Sequence, residues 1–208
     1  MIRKTLDQIA IEHGTDKATE FTRTYAKPHG YTVHLEPFFE PLRDLPIKLL
    51  EIGAAGGESI KTWLEYFTHS KSRVVGVDNV QGTNRWNTVK AEGITPRYTF
   101  VFGDQSDPTF WKCFAVDYGA EWDVVIDDGG HYNDQILTSF EYLWPLLKSG
   151  GIYCVEDLGV AYGAGSIFVK PGYPNHIDWL RSKIDQLNTD SDIHSITFSK
   201  ELAILKKK

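Results

Sequence analysis

The sequence predicts an α/β protein with a doubly wound, mostly parallel, Rossmann-like sheet and an amino-terminal helical cap. Three observations carry this. From Lys48 onward, short β-rich runs alternate with helical patterns. Several runs are apolar almost throughout, as strands covered on both faces must be. Glycine-rich or acidic turns follow the runs, where a strand hands over to a helix.

The expected strands are Lys48 to Ile52, Arg73 to Asp78, Tyr98 to Phe102, Trp122 to Asp127 and Gly151 to Glu156. Between them, Ile60, Trp63, Leu64 and Phe67 recur at helical spacing and predict a helix over Ser59 to Phe67. Ile136, Phe140, Trp144 and Leu147 predict another after Asn133, with Lys148 to Gly151 as its glycine-rich stop. A later helix is expected over Ile177 to Leu187, then a terminal strand pair, Ile193 to Phe198 and Leu202 to Leu205. Residues 1–46 differ. Leu6, Ile9 and Ala10 suggest a short helix ended by Gly14, and the aromatics of Tyr31 to Leu45 are interrupted by Pro37 and Pro41. These residues read as a cap on a core of residues 47–208, the two making one domain.

The chain has 208 residues, enough for one sizeable core. A net charge of −6 argues against general affinity for nucleic acid or anionic membranes and leaves a small-molecule partner. Cys113 and Cys154 lack paired spacing and read as buried, reduced thiols, which implies a cytoplasmic setting. The first ten residues do not read as a signal peptide. No stretch approaches the roughly 20 apolar residues of a membrane span.

Two acidic turns carry the chemistry. Asp127, Asp128, Gly129, Gly130 and His131 follow one strand, and Glu156 and Asp157 follow another. Parallel neighbours about 4.8 Å apart end on the same sheet edge, so these carboxylates can share one ion. Asp128, Glu156 and Asp157 offer hard oxygen donors suited to Mg2+ or another hard divalent cation. His131 lies between the clusters as the candidate general base, while Asp127 is assigned to the strand end beside the cofactor. The bland alternative is that Asp127 and Asp128 cap the helix entered at Asn133.

The first strand ends in Glu51, followed by Ile52, Gly53, Ala54, Ala55, Gly56, Gly57 and Glu58. A dinucleotide fingerprint would place glycine where Ala55 and Glu58 stand, and Glu58 would set a negative charge where a pyrophosphate meets the helix N-terminus. Asp78 ends the second strand where an acid commonly accepts from ribose hydroxyls.

Glu51 to Gly57 resembles the loop of the class I S-adenosylmethionine-dependent methyltransferases. A closer resemblance spans nearly the whole chain: Gly14-Thr15-Asp16-Lys17, His29-Gly30-Tyr31, Leu50-Glu51-Ile52-Gly53, Gly103 to Asp107, Ile126 to His131 and Gly150 to Leu158. Together these are similar to the macrocin and mycinamicin type of sugar O-methyltransferase, although Gly130 stands where those proteins often carry serine. The resemblance implies S-adenosyl-L-methionine as cofactor, bound by Glu51, Gly53, Ser59, Asp78 and Asn79 around its methionine and ribose and by Asp104, Gln105 and Ser106 at its adenine. It implies Mg2+ on Asp128, Glu156 and Asp157, and His131 as base.

The resemblance also implies that the amino-terminal segment covers the cofactor, with Tyr31 facing the ligand cleft. Thr15, Asp16, Lys17 and His29 otherwise read as turn residues. The implied acceptor is a sugar hydroxyl of a glycosylated natural product. A catechol-type methyltransferase, a nicotinamide-dependent oxidoreductase and an inactive cofactor-binding module are the alternatives. Leu158 to Gly172 is expected to be a mobile substrate loop, with Tyr162 and Tyr173 candidates for stacking on the acceptor. A homo-oligomer is left open. His13, His34, His69, His176 and His194 show no partner pattern.

Overall fold

The computed structural model describes residues 3–21, 27–79, 95–162, 166–189 and 191–208. Seven strands form one sheet: β1 (Lys48–Ile52), β2 (Arg73–Asp78), β3 (Tyr98–Phe102), β4 (Trp122–Asp127), β5 (Leu147–Val155), β6 (Ile193–Ser199) and β7 (Leu202–Lys207). Their order is β3-β2-β1-β4-β5-β7-β6, with β1 to β5 parallel and the β6–β7 hairpin antiparallel at one edge. The chain reverses its direction of winding between β1 and β4, and that switch point opens a crevice at the carboxyl ends of the strands.

Because successive side chains alternate across a strand, the central strands feed two cores. Leu49, Val74, Val124, Ile126, Ile152 and Ile204 face helices α1 (Leu6–His13), α2 (Tyr31–Phe39) and α3 (Glu58–Tyr66), packing on Leu6, Leu35, Phe39 and Trp63. Leu50, Val75, Val125, Tyr153 and Leu205 face α4 (Pro108–Tyr118), α5 (Asn133–Leu143) and α6 (His176–Gln186), packing on Trp111, Phe114, Phe140 and Leu180. The cap helix α1 ends at Gly14 in the left-handed region, as its sequence predicts, and a capping box of Thr5 and Gln8 starts it.

The structure corrects three expectations and adds one helix. Leu147 does not continue the helix after Asn133. That helix stops at Leu143, Trp144–Leu146 tighten into a 3-10 turn, and Leu147 opens β5, with a register shift against β4 where a glycine stop was expected. Cys113 is exposed, unlike Cys154. The expected loop after Asp157 begins instead as a 3-10 helix, Leu158–Tyr162, and its residues 163–165 lie outside the described residues. Helix α4 had no expected counterpart. It starts on Asp107, whose side chain accepts from the Thr109 N–H, with Pro108 at the first helical position.

Candidate active site

Register brings the site together before any side chain is considered. Ile52 pairs with Asp127 and Asp127 with Val155, so the residues after all three strands are spatial neighbours. The ladder continues past the strand ends, since Gly53 N donates to Val77 O, Asp128 N to Ile52 O and Glu156 N to Asp127 O. Two adjoining recesses of about 250 and 330 Å3 lie along this edge and share Gly53, Ala55, Asp128 and Gly129.

The first recess carries Asp78, Asn79, Gly103 and Gln105, and the second carries Lys17, Ser59, His131 and Asp157. Ala55, His131 and Asp157 all have positive φ. Such backbone is costly for residues with a Cβ, and it persists where the surrounding structure over-determines it.

In the second recess the His131 Nε2 lies 3.2 Å from an Asp157 oxygen and 4.0 Å from Asp128 Oδ1. Asp128, His131 and Asp157 present their ligand atoms within 4.8 Å of one another. Glu156 does not join that trio. It is buried behind it, one oxygen accepting from Lys17 Nζ at 2.5 Å and the other, Oε1, without a hydrogen-bond partner. Lys17 is 2% exposed, donates also to Asp128, and lies 3.5 Å from Glu51 Oε1.

Burial pulls the pKa of this ammonium down, but Asp128, Glu156 and Glu51 outweigh it and hold Lys17 well above the ordinary lysine value. Burial also raises Glu156 strongly, against the pull of Lys17. The two directions are compatible, because one ammonium cannot neutralise three carboxylates of which Glu51 and Glu156 are fully buried. The surplus negative charge and the unpartnered Glu156 oxygen fit a second cation, and the all-oxygen set of Asp128, Glu156 and Asp157 fits a hard one.

The predicted cofactor residues divide. Gly53, Asp78, Asn79 and Gln105 line the first recess, where Asp78 accepts from the Ala55 N–H at 2.8 Å. Ser59 lines the second and donates to Glu51. Glu51, Asp104, Ser106, Asp127 and Tyr31 stand elsewhere. Glu51 is fully buried beneath the loop, accepting from Ser59 Oγ and Trp63 Nε1, with its carboxyl pushed up to about 6 by burial, Lys17 opposing. Asp104 and Ser106 close a turn on each other.

Asp127 is buried under the edge, where Gln105, Ser139 and Tyr153 donate to it. It caps no helix. Tyr31 is buried too, donating to Asp157 Oδ1 at 2.6 Å. Burial and that carboxylate keep its phenol well above the usual pKa.

Lys17 is the residue whose role the sequence reading missed, though four acids gathered at one edge beside a single histidine carry more negative charge than that ring can offset. The amino-terminal segment delivers it: His29 N donates to Asp16 O, Gly30 N to Ala18 O and Thr32 N to Lys17 O. Tyr162, exposed, lies on a separate groove with Leu158, Ile177 and Phe198, and Tyr173 is exposed.

Residues 50–158 match a family model described as a methyltransferase domain. The chain belongs to this methyltransferase family. It is 37% identical over 161 residues, 74% of its length, to 8-demethyl-8-alpha-L-rhamnosyl tetracenomycin-C 2'-O-methyltransferase of Streptomyces olivaceus, and 34% identical over 158 residues, 70% of its length, to demethylmacrocin O-methyltransferase of Streptomyces fradiae. It spans 38% and 37% of those relatives.

Among solved structures, the MycE methyltransferase of the mycinamycin biosynthetic pathway, in complex with Mg and SAH, superposes with a TM-score of 0.79 at 27% identity. That match covers 99% of this methyltransferase chain and 55% of MycE. The sugar O-methyltransferase resemblance read from the motifs agrees with these relatives, and the sheet order agrees with the predicted fold class. No helix among the described residues is long and apolar enough to cross a membrane.

Proposed function

We propose that the chain is an S-adenosylmethionine-dependent O-methyltransferase acting on a sugar hydroxyl of a glycosylated natural product, with His131 as general base and a hard divalent cation on Asp128, Glu156 and Asp157. The observation that carries this reading is the shared wall of the two recesses: Gly53, Ala55, Asp128 and Gly129 border both the crevice that holds Asp78 and the acid–histidine cluster. The relatives named above act on a rhamnosyl tetracenomycin and on demethylmacrocin by their names, and one solved neighbour is in complex with Mg, SAH and mycinamycin VI. A dinucleotide is disfavoured because Glu58 folds back over Gly56, where a Cβ would meet its carboxylate at 2.0 Å, so a negative charge covers the start of α3.

When bound, the cofactor supplies an electrophilic methyl group on a sulfonium, and the cation acidifies and orients neighbouring hydroxyls. The chain does the rest. Of the residues lining the first recess, Asp78 at the end of β2 would hold the ribose, the glycine backbone of the β1 turn would let the methionine portion approach, and Gln105 would lie at the adenine. Asp157 holds one ring nitrogen of His131. With the Asp157 carboxylate 3.2 Å from Nε2, His131 would take the hydroxyl proton as the carbon–oxygen bond forms and the carbon–sulfur bond breaks, and Asp157 would stabilise the imidazolium that results. Positioning of the two substrates across the shared wall supplies much of the acceleration.

Calorimetry with S-adenosylmethionine, with and without Mg2+, tests the cofactor, and absence of binding defeats the reading. His131→Ala should leave cofactor binding intact and cut turnover by roughly 10²- to 10⁴-fold. Unchanged turnover rejects His131 as the base.

A further inference from the structure

We propose that Lys17 is the resident counter-ion of the cation site, competing with the divalent cation for the charge of Asp128 and Glu156 and so setting how tightly that cation is held. The inference rests on the reading that this edge takes a divalent cation.

An ammonium has three protons to donate, and Lys17 faces three carboxylates: Asp128 Oδ2, Glu156 Oε2 at 2.5 Å and Glu51 Oε1 at 3.5 Å. Asp128 and Glu156 each give Lys17 one oxygen and keep another free. The free pair is Asp128 Oδ1, which faces His131 at 4.0 Å, and Glu156 Oε1, which has no partner. The ammonium therefore takes up one oxygen of each carboxylate and leaves one oxygen of each uncommitted. The Lys17 side chain is 3% exposed and that of Glu156 1%, so water screens these charges little.

Two consequences follow. Without a divalent cation, Lys17 offsets repulsion among carboxylates that would otherwise face one another in a dry pocket. With one bound, the ammonium and the ion repel across a carboxylate's width, and the affinity is lower than the acids alone would give. Attachment of Lys17 through the segment between α1 and α2 ties this balance to the docking of the cap.

The test is Mn2+ binding to the full chain, followed by electron paramagnetic resonance, for the wild type, Lys17→Met and Lys17→Arg. The methionine variant keeps an unbranched stem and removes the charge. It should bind Mn2+ roughly tenfold or more tightly, melt earlier in chelator and gain more in melting temperature on adding Mn2+. The arginine variant should stay near wild type. Lys17 as a mere prop for Asp128 gives the opposite sign, so unchanged or weaker binding by Lys17→Met overturns the proposal while wild-type binding leaves the cation reading standing. If none of the three binds Mn2+, the cation reading falls and the proposal with it.

Should Lys17→Met fail to fold, the Nζ resonance of 15N-labelled lysine in the wild type decides. Saturating Mg2+ should shift the Lys17 signal more than any other lysine signal. A Lys17 signal unmoved while Mg2+ displaces Mn2+ overturns the proposal.

Discussion

Gly53 passes so close to Asp128 that a β-carbon built on it would stand 1.8 Å from the Asp128 carbonyl oxygen. Its φ of +84° adds a second demand that only glycine meets cheaply. The first residue after β1 and the first after β4 are thus locked backbone to backbone at the switch point of the sheet. Gly53→Ala should cost about 3 kcal/mol, as left-handed strain and a rigid backbone clash add, and should abolish cofactor binding. Gly14 provides the control, in the left-handed region with φ of +70° and ψ of 40° and nothing within 4 Å of an added Cβ. Gly14→Ala should cost only about 1 kcal/mol. Urea titrations that show equal losses would mean the Asp128 contact carries no weight.

The Tyr31 hydroxyl both donates to Asp157 Oδ1 and accepts from the Asp157 N–H at 3.3 Å, fixing a residue whose φ is +55°. Tyr31→Phe removes this brace and should cost roughly 1–2 kcal/mol of stability. Because Asp157 orients His131, turnover should fall while S-adenosylmethionine affinity stays within about twofold of wild type. A variant with normal turnover and weakened cofactor binding would return Tyr31 to the cofactor face that its sequence context suggests.

The difference between what the sequence discloses and what it conceals has a physical basis. Strands β1 to β4 are largely apolar, β-rich runs bounded by turn residues, so their limits are legible to the residue, and their parallel register then carries Asp128, Glu156 and Asp157 to one edge. Leu147 misleads because it keeps the helical period of Ile136, Phe140 and Trp144 while its backbone is recruited by β4, a tertiary effect that no local pattern records. Lys17 and Tyr31 are hidden differently. They reach Asp128 and Asp157 across separations of 111 and 126 residues. Only the charge imbalance of the acidic edge hints that a base must arrive from elsewhere.

Removing divalent cations should test the acidic edge directly. Dialysis against a chelator is expected to abolish methyl transfer, with Mg2+ or Mn2+ restoring it and Zn2+ restoring it poorly, as an all-oxygen donor set favours hard ions. Asp128→Asn should raise the concentration of Mg2+ needed for half-maximal activity by at least ~10-fold. Full activity in chelator would exclude the cation from the reaction and leave His131 and Lys17 as the polar machinery.

His176 offers a prediction about pH. It sits at the start of α6, fully buried, and neither ring nitrogen has a hydrogen-bond partner. Burial, aided by the charge of His131, lowers its pKa to about 4, below the ordinary 6.5. The unfolded chain therefore binds a proton between pH 6.5 and 4 that the folded chain refuses. Its contribution to stability is complete above pH 6.5 and is lost as pH falls toward 4, by an amount on the order of 3 kcal/mol. His176→Leu removes the titrating ring without breaking a hydrogen bond. It should change stability by less than about 1 kcal/mol at pH 7.5 and flatten this part of the acid slope. Chemical denaturation at half-unit intervals from pH 7.5 to 4 would measure both, and parallel curves for the two proteins would mean that His176 is not neutral in the fold.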